Sequence, residues 1–302
     1  MKKIIGKILL AVLALALAAV IGLAGNLFFF YPQYRKNKTE VENFPVSDGR
    51  IYVMSCNVRC INPLDFGKKS WFYRANLLVK GISANKPTVI GFQEVTKWQY
   101  SYLRESLTGY DSVITYRDNM FNSEGCPIFY RKDLYNLVDK NSFWLSETPE
   151  EMSKDWGAAC YRICSYVILE EKASGKQFVV FNTHLDHISD EARIKGIDVV
   201  LDKIEQFGSL PSVIMGDFNA DESSETYLSV TQNFLDAKYQ TENTMSGATY
   251  QNWGAGLDGE NIDYFMISRT GIKVDEYKVI SDTYGGEYAS DHFQIFTVLE
   301  LV

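Results

Sequence analysis

A long apolar stretch opens the chain: residues 8–31 form 24 consecutive positions without a formal charge, mostly Ala, Leu, Ile, Val and Phe. About 20 such residues in a helix span the hydrocarbon core of a bilayer. Lys2, Lys3 and Lys7 precede the stretch, as basic residues precede the apolar part of an export signal. The stretch has no polar face and lies at the terminus, which argues against a buried core helix. We therefore predict that residues 1–31 form an N-terminal hydrophobic helix, acting as a signal or transmembrane anchor.

This segment is longer than the apolar part of an ordinary signal peptide, and Gly22 with Ala24 offers only a weak cleavage site. We therefore expect an uncleaved membrane anchor, and a secreted domain if cleavage occurs. Arg35, Lys36 and Lys38 balance the lysines before the segment, so the positive-inside rule does not fix the orientation. The export-like N-terminus favours an extracytoplasmic domain, in the periplasm or at the cell surface.

Beyond the anchor, the polar residues 32–49 contain Pro32, Pro45 and Gly49 and are predicted to form a tether. From residue 50 onward, apolar runs alternate with polar turns. The runs predict strands at 51–57, 88–92, 111–116, 127–131, 163–170, 177–182, 212–215, 262–267, 272–280 and 292–299. Helical spacing of apolar residues predicts helices at 71–84, in the segment that ends at Leu107, and at 189–207.

The order of these elements indicates the fold class. Some strands are separated by helices, whereas others form hairpins, such as the pair joined by the turn at Ser174-Gly175. The chain contains no internal repeat. We therefore predict an α/β (α+β) domain over residues 50–302, built as a four-layered αββα sandwich of two mixed β-sheets flanked by helices.

Composition agrees with a large folded domain, because 46% of the 302 residues are hydrophobic and 23% are charged. Removing residues 1–31 takes away three of the 30 basic side chains and none of the 38 acidic ones, which leaves a formal charge of −11. Proteins that grip long nucleic acids usually present a basic face. The charge therefore argues against a processive DNA-binding nuclease.

The number and spacing of the cysteines limit the disulfides and metal sites that the chain can form. Cys56, Cys60, Cys126, Cys160 and Cys164 are odd in number, so they cannot all pair within the chain. Their spacing is not that of a zinc site. Apolar neighbours favour buried thiols over a disulfide framework.

Polar side chains suited to phosphate chemistry recur at the ends of the predicted strands. They occur at Asn57, Gln93-Glu94, residues 182–186 (Asn-Thr-His-Leu-Asp), residues 216–219 (Gly-Asp-Phe-Asn), residues 261–264 (Asn-Ile-Asp-Tyr) and residues 290–292 (Ser-Asp-His). Any one of these is an ordinary turn motif, but six in one domain indicate a site. Hydrolysis of a phosphate ester needs oxygen ligands for a hard cation, a base for water, and donors for the phosphate oxygens. Carboxylates, amides and imidazoles supply all three.

Read in chain order, these motifs resemble the endonuclease/exonuclease/phosphatase superfamily, and the resemblance covers residues 50–302. Residues 143–149 (Phe-Trp-Leu-Ser-Glu-Thr-Pro) further resemble a bacterial branch described as metal-dependent hydrolases. The resemblance implies a hydrolase of phosphate esters, of phosphodiesterase, nuclease or phosphatase type, that uses Mg²⁺, with Mn²⁺ as an alternative. Glu94 would be the main metal carboxylate, and Asn57 and Asp291 would complete or support the metal site.

The same resemblance implies the roles of the remaining motif residues. Asp217 would orient or deprotonate the attacking water, and Asn219 would hold the phosphate. His184 and His292 would donate to the phosphate oxygens. Asp263 would pair with His292, and Glu124 would orient His184 in the same way.

Two features depart from the branches of this family that act on DNA. Val95-Thr96-Lys97 follow Glu94, where the deoxyribonuclease branch has an arginine that enters the minor groove. His184 stands where the abasic-site branch lacks a histidine, so that branch is set aside. Arg162 is either an additional phosphate contact or a surface arginine, and His187 is expected to be exposed to solvent.

Other classes of function stay open at this point. A membrane-tethered binding module would keep the fold but lose catalysis, although Glu94, His184, Asp217 and His292 are all present. A glycosidase would use a carboxylate pair and would not need the histidines. The expected partners are a phosphate-ester substrate (a small molecule, a lipid head group or a nucleic acid) and, through residues 1–31, a membrane. No obligate protein partner is inferred.

Overall fold

The computed structural model describes residues 2–36, 38, 40, 41, 44 and 48–302. Six α-helices are present in this part of the chain: α1 (Lys2–Phe29), α2 (Tyr31–Lys36), α3 (Trp71–Asn85), α4 (Lys97–Ser106), α5 (Asp190–Glu205) and α6 (Glu225–Asn233). The first eight strands are β1 (Ile51–Asn57), β2 (Val89–Gln93), β3 (Val95–Thr96), β4 (Tyr110–Val113), β5 (Glu124–Gly125), β6 (Ile128–Arg131), β7 (Tyr135–Trp144) and β8 (Ile163–Glu171). The remaining seven are β9 (Gln177–His184), β10 (Ser212–Asp217), β11 (Phe234–Asp236), β12 (Thr244–Met245), β13 (Asp263–Ser268), β14 (Ile272–Ile280) and β15 (Gln294–Leu301).

Two mixed sheets form the centre of the domain, as predicted. The first has the strand order β12-β14-β15-β1-β2-β6-β4, and the second has the order β11-β13-β10-β9-β8-β7. Strands β1 and β2 run parallel at the centre of the first sheet, and β9 and β10 run parallel at the centre of the second. Each central pair is flanked by antiparallel strands.

The hydrophobic core explains the four layers. In β1, Val53 faces the core between the two sheets, whereas the next residue, Met54, faces the cluster beneath α3 and α4. A third apolar cluster lies between the second sheet and α5 and α6. Strands buried on both faces are apolar at nearly every position, because successive side chains point to opposite faces of the sheet. The predicted αββα sandwich is therefore confirmed.

Two of the longer elements beyond the tether were not predicted, and neither were the short strands β3, β5, β11 and β12. Strand β7 is the edge strand of the second sheet, and its central residues 136–142 are mostly exposed and polar. An edge strand packs little apolar surface, so it carries a weak hydrophobic pattern. Helix α6 has only Thr226, Tyr227 and Val230 buried, which is too few apolar positions to predict a helix from spacing alone.

The N-terminal hydrophobic helix is present as α1, and residues 3–29 are long and apolar enough to cross a membrane by length and composition. The predicted tether differs in its described part, because Tyr31–Lys36 is helical and Val41 is buried, with its N–H donated to the carbonyl of Ser106 at 2.8 Å. The rest of the tether prediction, at residues 37, 39, 42, 43 and 45–47, lies outside the described residues.

A polar cross-link joins the two sheets directly beneath the strand ends. Asn182 of β9 donates its amide to the carbonyls of Phe92 (2.9 Å) and Pro127 (3.0 Å) and accepts from Nε2 of Gln93 at 2.7 Å. A Cβ atom at Gly91 would lie 2.4 Å from Cε of Met215, so a glycine is needed for this close approach of the sheets.

We expect Asn182→Leu to lower the free energy of unfolding by about 2–4 kcal/mol, because two buried carbonyls and the Gln93 amide lose a partner. Urea unfolding of the full chain in mild detergent measures the change. Asn136→Leu, at an exposed position of β7, is the control and should change stability by less than about 0.5 kcal/mol. Equal stability of the two variants would show that the cross-link does not stabilise the fold.

Candidate active site

The site lies where the carboxyl ends of the two parallel strand pairs meet. Asn57 and Gln93 are paired at the ends of β1 and β2, and His184 and Asp217 are paired at the ends of β9 and β10. Asp263, at the start of the antiparallel β13, is also paired with Asp217. The register of five strands therefore brings residues from distant parts of the sequence into one cluster.

Asp217 is at the centre of this cluster and is 1% exposed. Asn57 donates its amide to Oδ2 of Asp217 at 2.9 Å, and the backbone N–H of Asn219 donates to Oδ1 at 2.9 Å. Nε2 of His184 lies 3.5 Å from Oδ2, and Nε2 of His292 lies 3.7 Å from the same atom. One carboxylate oxygen thus faces an amide and two imidazoles.

His292 and Asp263 form the pair that the sequence analysis expects. Nδ1 of His292 lies 2.9 Å from Oδ2 of Asp263, and both side chains are buried. Burial by itself lowers the pKa of His292, but the carboxylates of Asp263 and Asp217 outweigh it and raise this pKa to about 10. His292 is therefore a cation at neutral pH, with Nε2 directed toward Asp217.

Unlike His292, the other two groups of the cluster, Asp217 and His184, are shifted toward their neutral forms. Burial, with the nearby carboxylate of Asp263, raises the pKa of Asp217 to about 7. Burial also lowers the pKa of His184 well below its usual value, assisted by the positive charges of Arg162 and Arg117. At neutral pH the site thus contains a cationic imidazole, a neutral imidazole and a carboxyl group poised near its titration midpoint.

Glu94 forms a second acidic position beside Asp217. The residue has a positive φ of 62°, a conformation that aims its side chain away from the course of β2. Burial raises the pKa of Glu94, but hydrogen bonds from the Cys60 N–H (2.9 Å) and the Asn57 amide (3.2 Å), with the charge of His292, lower it below its usual range. Glu94 is thus an ionised carboxylate.

The oxygen donors present fit a hard cation. Glu94 and Asp291 are carboxylates that line the same cleft, and Mg²⁺ prefers one or two carboxylates completed by water and phosphate oxygens. Asn57 supports this position, because its amide nitrogen bridges Glu94 and Asp217. Asp217, Asp263 and His292 also place donor atoms within 4.8 Å of one another. We favour Glu94 and Asp291 as metal ligands, since a protonated His292 cannot bind a cation.

The expected contact between Glu124 and His184 does not form. Both carboxylate oxygens of Glu124 instead accept from the guanidinium of Arg117, at 2.9 Å each. Such a bidentate ion pair satisfies the carboxylate fully. Glu124 therefore orients an arginine on the wall of the cleft, and His184 has Asp217 as its carboxylate neighbour.

Three arginines line the cleft, and sequence reasoning identified only one of them as a candidate. Arg162 is 5% exposed, so it is not a surface arginine; its Nε lies 3.5 Å from Asp186 and its Nη2 lies 2.9 Å from Nδ1 of His187. Arg59 and Arg117 were missed. Arg59 follows Asn57 and Arg117 precedes Glu124, each within one loop. This closeness to a motif residue is the signal in the sequence that could have identified them.

These residues surround a cleft of about 570 Å³. His187 is exposed, as expected, and contributes to the wall. The lining consists of Arg59, Glu94, Arg117, Glu124, Cys160, Arg162, His184, His187, Asp217, Asn219, Tyr250, Glu260, Ile262, Asp291 and His292. Cationic side chains and carboxylates alternate in this lining, a combination that suits a ligand with an anionic group and a metal-bound oxygen. The five cysteines are free thiols, and Cys56, Cys126 and Cys164 are buried.

Comparison with known proteins places this fold and site in a class. Residues 54–292 match the Endonuclease/Exonuclease/phosphatase family. A solved structure of an endonuclease/exonuclease/phosphatase from Bacteroides vulgatus is 32% identical, with a TM-score of 0.79 over 84% of this chain and 99% of that one. The mannosyl-6-phosphatase Bt3783 from Bacteroides thetaiotaomicron is 31% identical, with a TM-score of 0.76 over 83% of this chain and 99% of that one.

Nocturnin from Mus musculus is 24% identical over 250 residues, which are 76% of this chain and 54% of that protein. The chain thus spans about half the length of this curated relative. Because the family match extends over most of the chain, the protein belongs to the endonuclease/exonuclease/phosphatase family, a class of phosphate-ester hydrolases.

Proposed function

We propose that the protein hydrolyses a phosphate ester with a water molecule that Asp217 orients, in a reaction that depends on Mg²⁺ or Mn²⁺. The observation that carries this proposal is the position of Asp217, where one buried carboxylate oxygen faces Asn57, His184 and His292 within 3.7 Å. A pKa of about 7 is suited to accepting a proton near neutral pH.

Each residue of the cluster has a separate role in the proposed reaction. Asp217 takes a proton from water as the water oxygen attacks phosphorus, and the ester P–O bond breaks on the opposite side. The leaving alkoxide takes a proton from solvent and departs as an alcohol, and Asp217 returns its proton to solvent. His292, a cation held by Asp263, donates to a phosphate oxygen, where negative charge is stabilised in the transition state. Asn219, held by its amide to the carbonyl of Leu185 at 3.1 Å, and His184 contact the phosphate from the side of β9 and β10.

Glu94 and Asp291 would hold the metal ion, supported by Asn57. The ion would supply positive charge to the phosphate and leaving-group oxygens. Arg162 and Arg117 add positive charge to the same cleft.

We expect a chelator to lower the turnover of bis-p-nitrophenyl phosphate at least about a hundredfold, since stabilisation of the transition state by a metal ion is worth several kcal/mol. The assay uses the purified full chain in detergent, treated with EDTA and then resupplied with Mg²⁺, Mn²⁺ or Ca²⁺. Recovery with Mg²⁺ or Mn²⁺ supports the proposal. Turnover that survives chelation would contradict the metal dependence, and no turnover with any metal would favour a binding module. A glycosidase would instead hydrolyse p-nitrophenyl glycosides in the presence of EDTA and leave the phosphate diester intact.

The charge of the domain favours a small or lipid-linked phosphate over long DNA as substrate. Related proteins differ in their named activities: one neighbour is a mannosyl-6-phosphatase, and a Mycosarcoma maydis relative is a 3'-5'-exoribonuclease subunit. We expect plasmid DNA at ordinary salt to be degraded at least about tenfold more slowly than bis-p-nitrophenyl phosphate. Efficient degradation of the plasmid would overturn this ranking.

We further propose that residues 1–31 anchor the protein in a membrane, with the domain on the extracytoplasmic side. The support is the length and apolar composition of α1 and the lysines before it. Protease accessibility of the domain in intact cells tests the orientation. A domain at the cell surface should be digested in intact cells, and a periplasmic one in spheroplasts. Digestion only after the spheroplasts are lysed would place the domain in the cytoplasm.

A further inference from the structure

The last two turns of α1 pack on the segment 58–66, which leads away from the active site. A Cβ atom at Gly22 would lie 2.2 Å from the carbonyl oxygen of Pro63, and one at Gly25 would lie 2.7 Å from the ring of Phe66. Small residues are needed at both positions because the helix backbone lies so close to this segment. The hydrophobic helix is thus fitted to the catalytic domain.

Polar contacts connect this helix to the active site. Asn26 of α1 is 2% exposed and donates its amide to the carbonyl of Asp65 at 3.2 Å. The carboxylate of Asp65 accepts from Nε of Arg59 at 3.0 Å, and Nη1 of the same arginine lies 3.5 Å from Asp291. Only Asp65 and Arg59 therefore separate α1 from a proposed metal ligand.

The exposed part of α1 has the length of a bilayer core. Residues 3–21 show no buried side chain, and at 1.5 Å per residue they extend about 28 Å, close to the hydrocarbon thickness of about 30 Å. The membrane surface then lies where α1 meets the segment 58–66. Phe28, Phe29 and Tyr31 are exposed at that level, as in the aromatic belts of membrane proteins.

Exposed apolar side chains occur on the segments that carry the cleft residues. Phe121 is 90% exposed and lies between Arg117 and Glu124 in the sequence. Its neighbour Met120 is 65% exposed. Leu64 (67% exposed) and Phe66 (53%) lie in the segment that contains Arg59, and Ile188 (66%) follows His187. Large exposed apolar side chains on three segments that also carry cleft residues are typical of a surface that meets another apolar phase. We call these five side chains the apolar rim.

We propose that α1 holds the mouth of the cleft against the membrane surface, and that the substrate is a phosphate ester carried by a lipid of that membrane. This inference rests on the phosphoesterase activity proposed above. The arginines and His292 bind the head-group phosphate, while the apolar rim contacts the acyl region, so the lipid does not leave the bilayer. The net charge of −11 does not attract the domain to an anionic surface, so α1 supplies the proximity.

The placement is tested with the full chain reconstituted in phosphatidylcholine vesicles. An environment-sensitive fluorophore is attached to Leu64→Cys or to Phe121→Cys and quenched by a lipid that carries a spin label near its head group. Ala173→Cys is the control, because Ala173 lies in the exposed turn before β9, about 26 Å of strand away from His184. We expect quenching at positions 64 and 121 and none at 173, after subtraction of the label on native cysteines. No quenching at position 121 would overturn the proposal.

The substrate is tested with matched pairs of phosphate esters. Phosphatidic acid and phosphatidylglycerol in the vesicles are compared with glycerol 3-phosphate and glycerophosphoglycerol in solution. We expect kcat/KM to be at least about tenfold higher for a lipid than for its acyl-free counterpart. Phe121→Asp should lower the rate on that lipid about tenfold, because an exposed phenyl group proposed to contact the bilayer is replaced by a charge. The same variant should leave turnover of bis-p-nitrophenyl phosphate unchanged, which shows that it folds.

The outcomes separate this inference from the activity on which it rests. If bis-p-nitrophenyl phosphate is hydrolysed but no lipid is preferred over its counterpart, the lipid substrate is wrong and the phosphoesterase stands. If no phosphate ester is hydrolysed with any metal, both fail. Gly22→Leu is a second test, because it should displace α1 from Pro63 and reduce the rate on the lipid more than the rate on bis-p-nitrophenyl phosphate. Equal losses on the two substrates would show that α1 supports the site itself and does not place it at the membrane.

Discussion

Replacing Asp217 with asparagine is expected to lower kcat for bis-p-nitrophenyl phosphate by about 10³-fold, the typical effect of removing a general base. Asparagine has the same shape and keeps an oxygen for the N–H of Asn219, so the loop is expected to stay in place. It cannot accept a proton from water. Steady-state kinetics with saturating Mg²⁺ measure the loss, and KM should change little, because substrate contacts come from other side chains.

Asp221→Asn is the matched control, since Asp221 lies four residues further along the same loop and accepts only local hydrogen bonds from Ser223. Its activity should stay within about twofold of wild type, the small effect usual for a substitution away from special features. An Asp217→Asn variant with near-normal kcat would show that another group activates the water. Glu94, the other ionised carboxylate of the cluster, would then be the next candidate.

The second large effect is expected at the His292–Asp263 pair. His292→Asn removes a cationic donor to the phosphate and should lower kcat by about 10²–10³-fold, as for an oxyanion donor. Asp263→Asn keeps the imidazole but removes the carboxylate that orients it and stabilises its protonated form, so a smaller loss of about tenfold to a hundredfold is expected. The kinetics of both single variants and of the double variant measure these losses.

Coupling between the two residues distinguishes a positioning role for Asp263 from an independent one. If Asp263 acts through His292, the double variant should lose no more activity than His292→Asn alone. Additive losses would contradict this relationship and would assign Asp263 a direct contact with the substrate. Asp236→Asn, which removes a buried carboxylate bonded to Tyr227 and remote from the cleft lining, controls for losses of stability.

Two arginines of the cleft are each held by a neighbouring carboxylate. Arg117 is held by Glu124, and Arg162 is near Asp186, so both guanidiniums are fixed before a ligand binds. A fixed cation costs less entropy on binding than a free side chain. Glu124 thus contributes to the site through Arg117, a role different from the one expected from the sequence.

Much of the fold followed from the pattern of apolar residues. Strands buried on both faces, such as β1 and β10, have apolar residues at successive positions, and this pattern depends only on local sequence. The order of strands and helices predicted two mixed sheets with helices outside. Edge strand β7 and helix α6 were missed because they bury few side chains, so their sequences carry little periodicity.

The sequence alone also determined which residues form the cluster around Asp217, because each motif follows or begins an apolar strand. It could not determine which partner each side chain would take. Glu124 binds Arg117 instead of His184, Arg162 is buried, and Asn26 joins the hydrophobic helix α1 to Asp65. These contacts join residues from different loops, and such loops are placed by the packing of the sheets and helices. Only the tertiary structure sets those distances, since they depend on the register and separation of elements far apart in the chain.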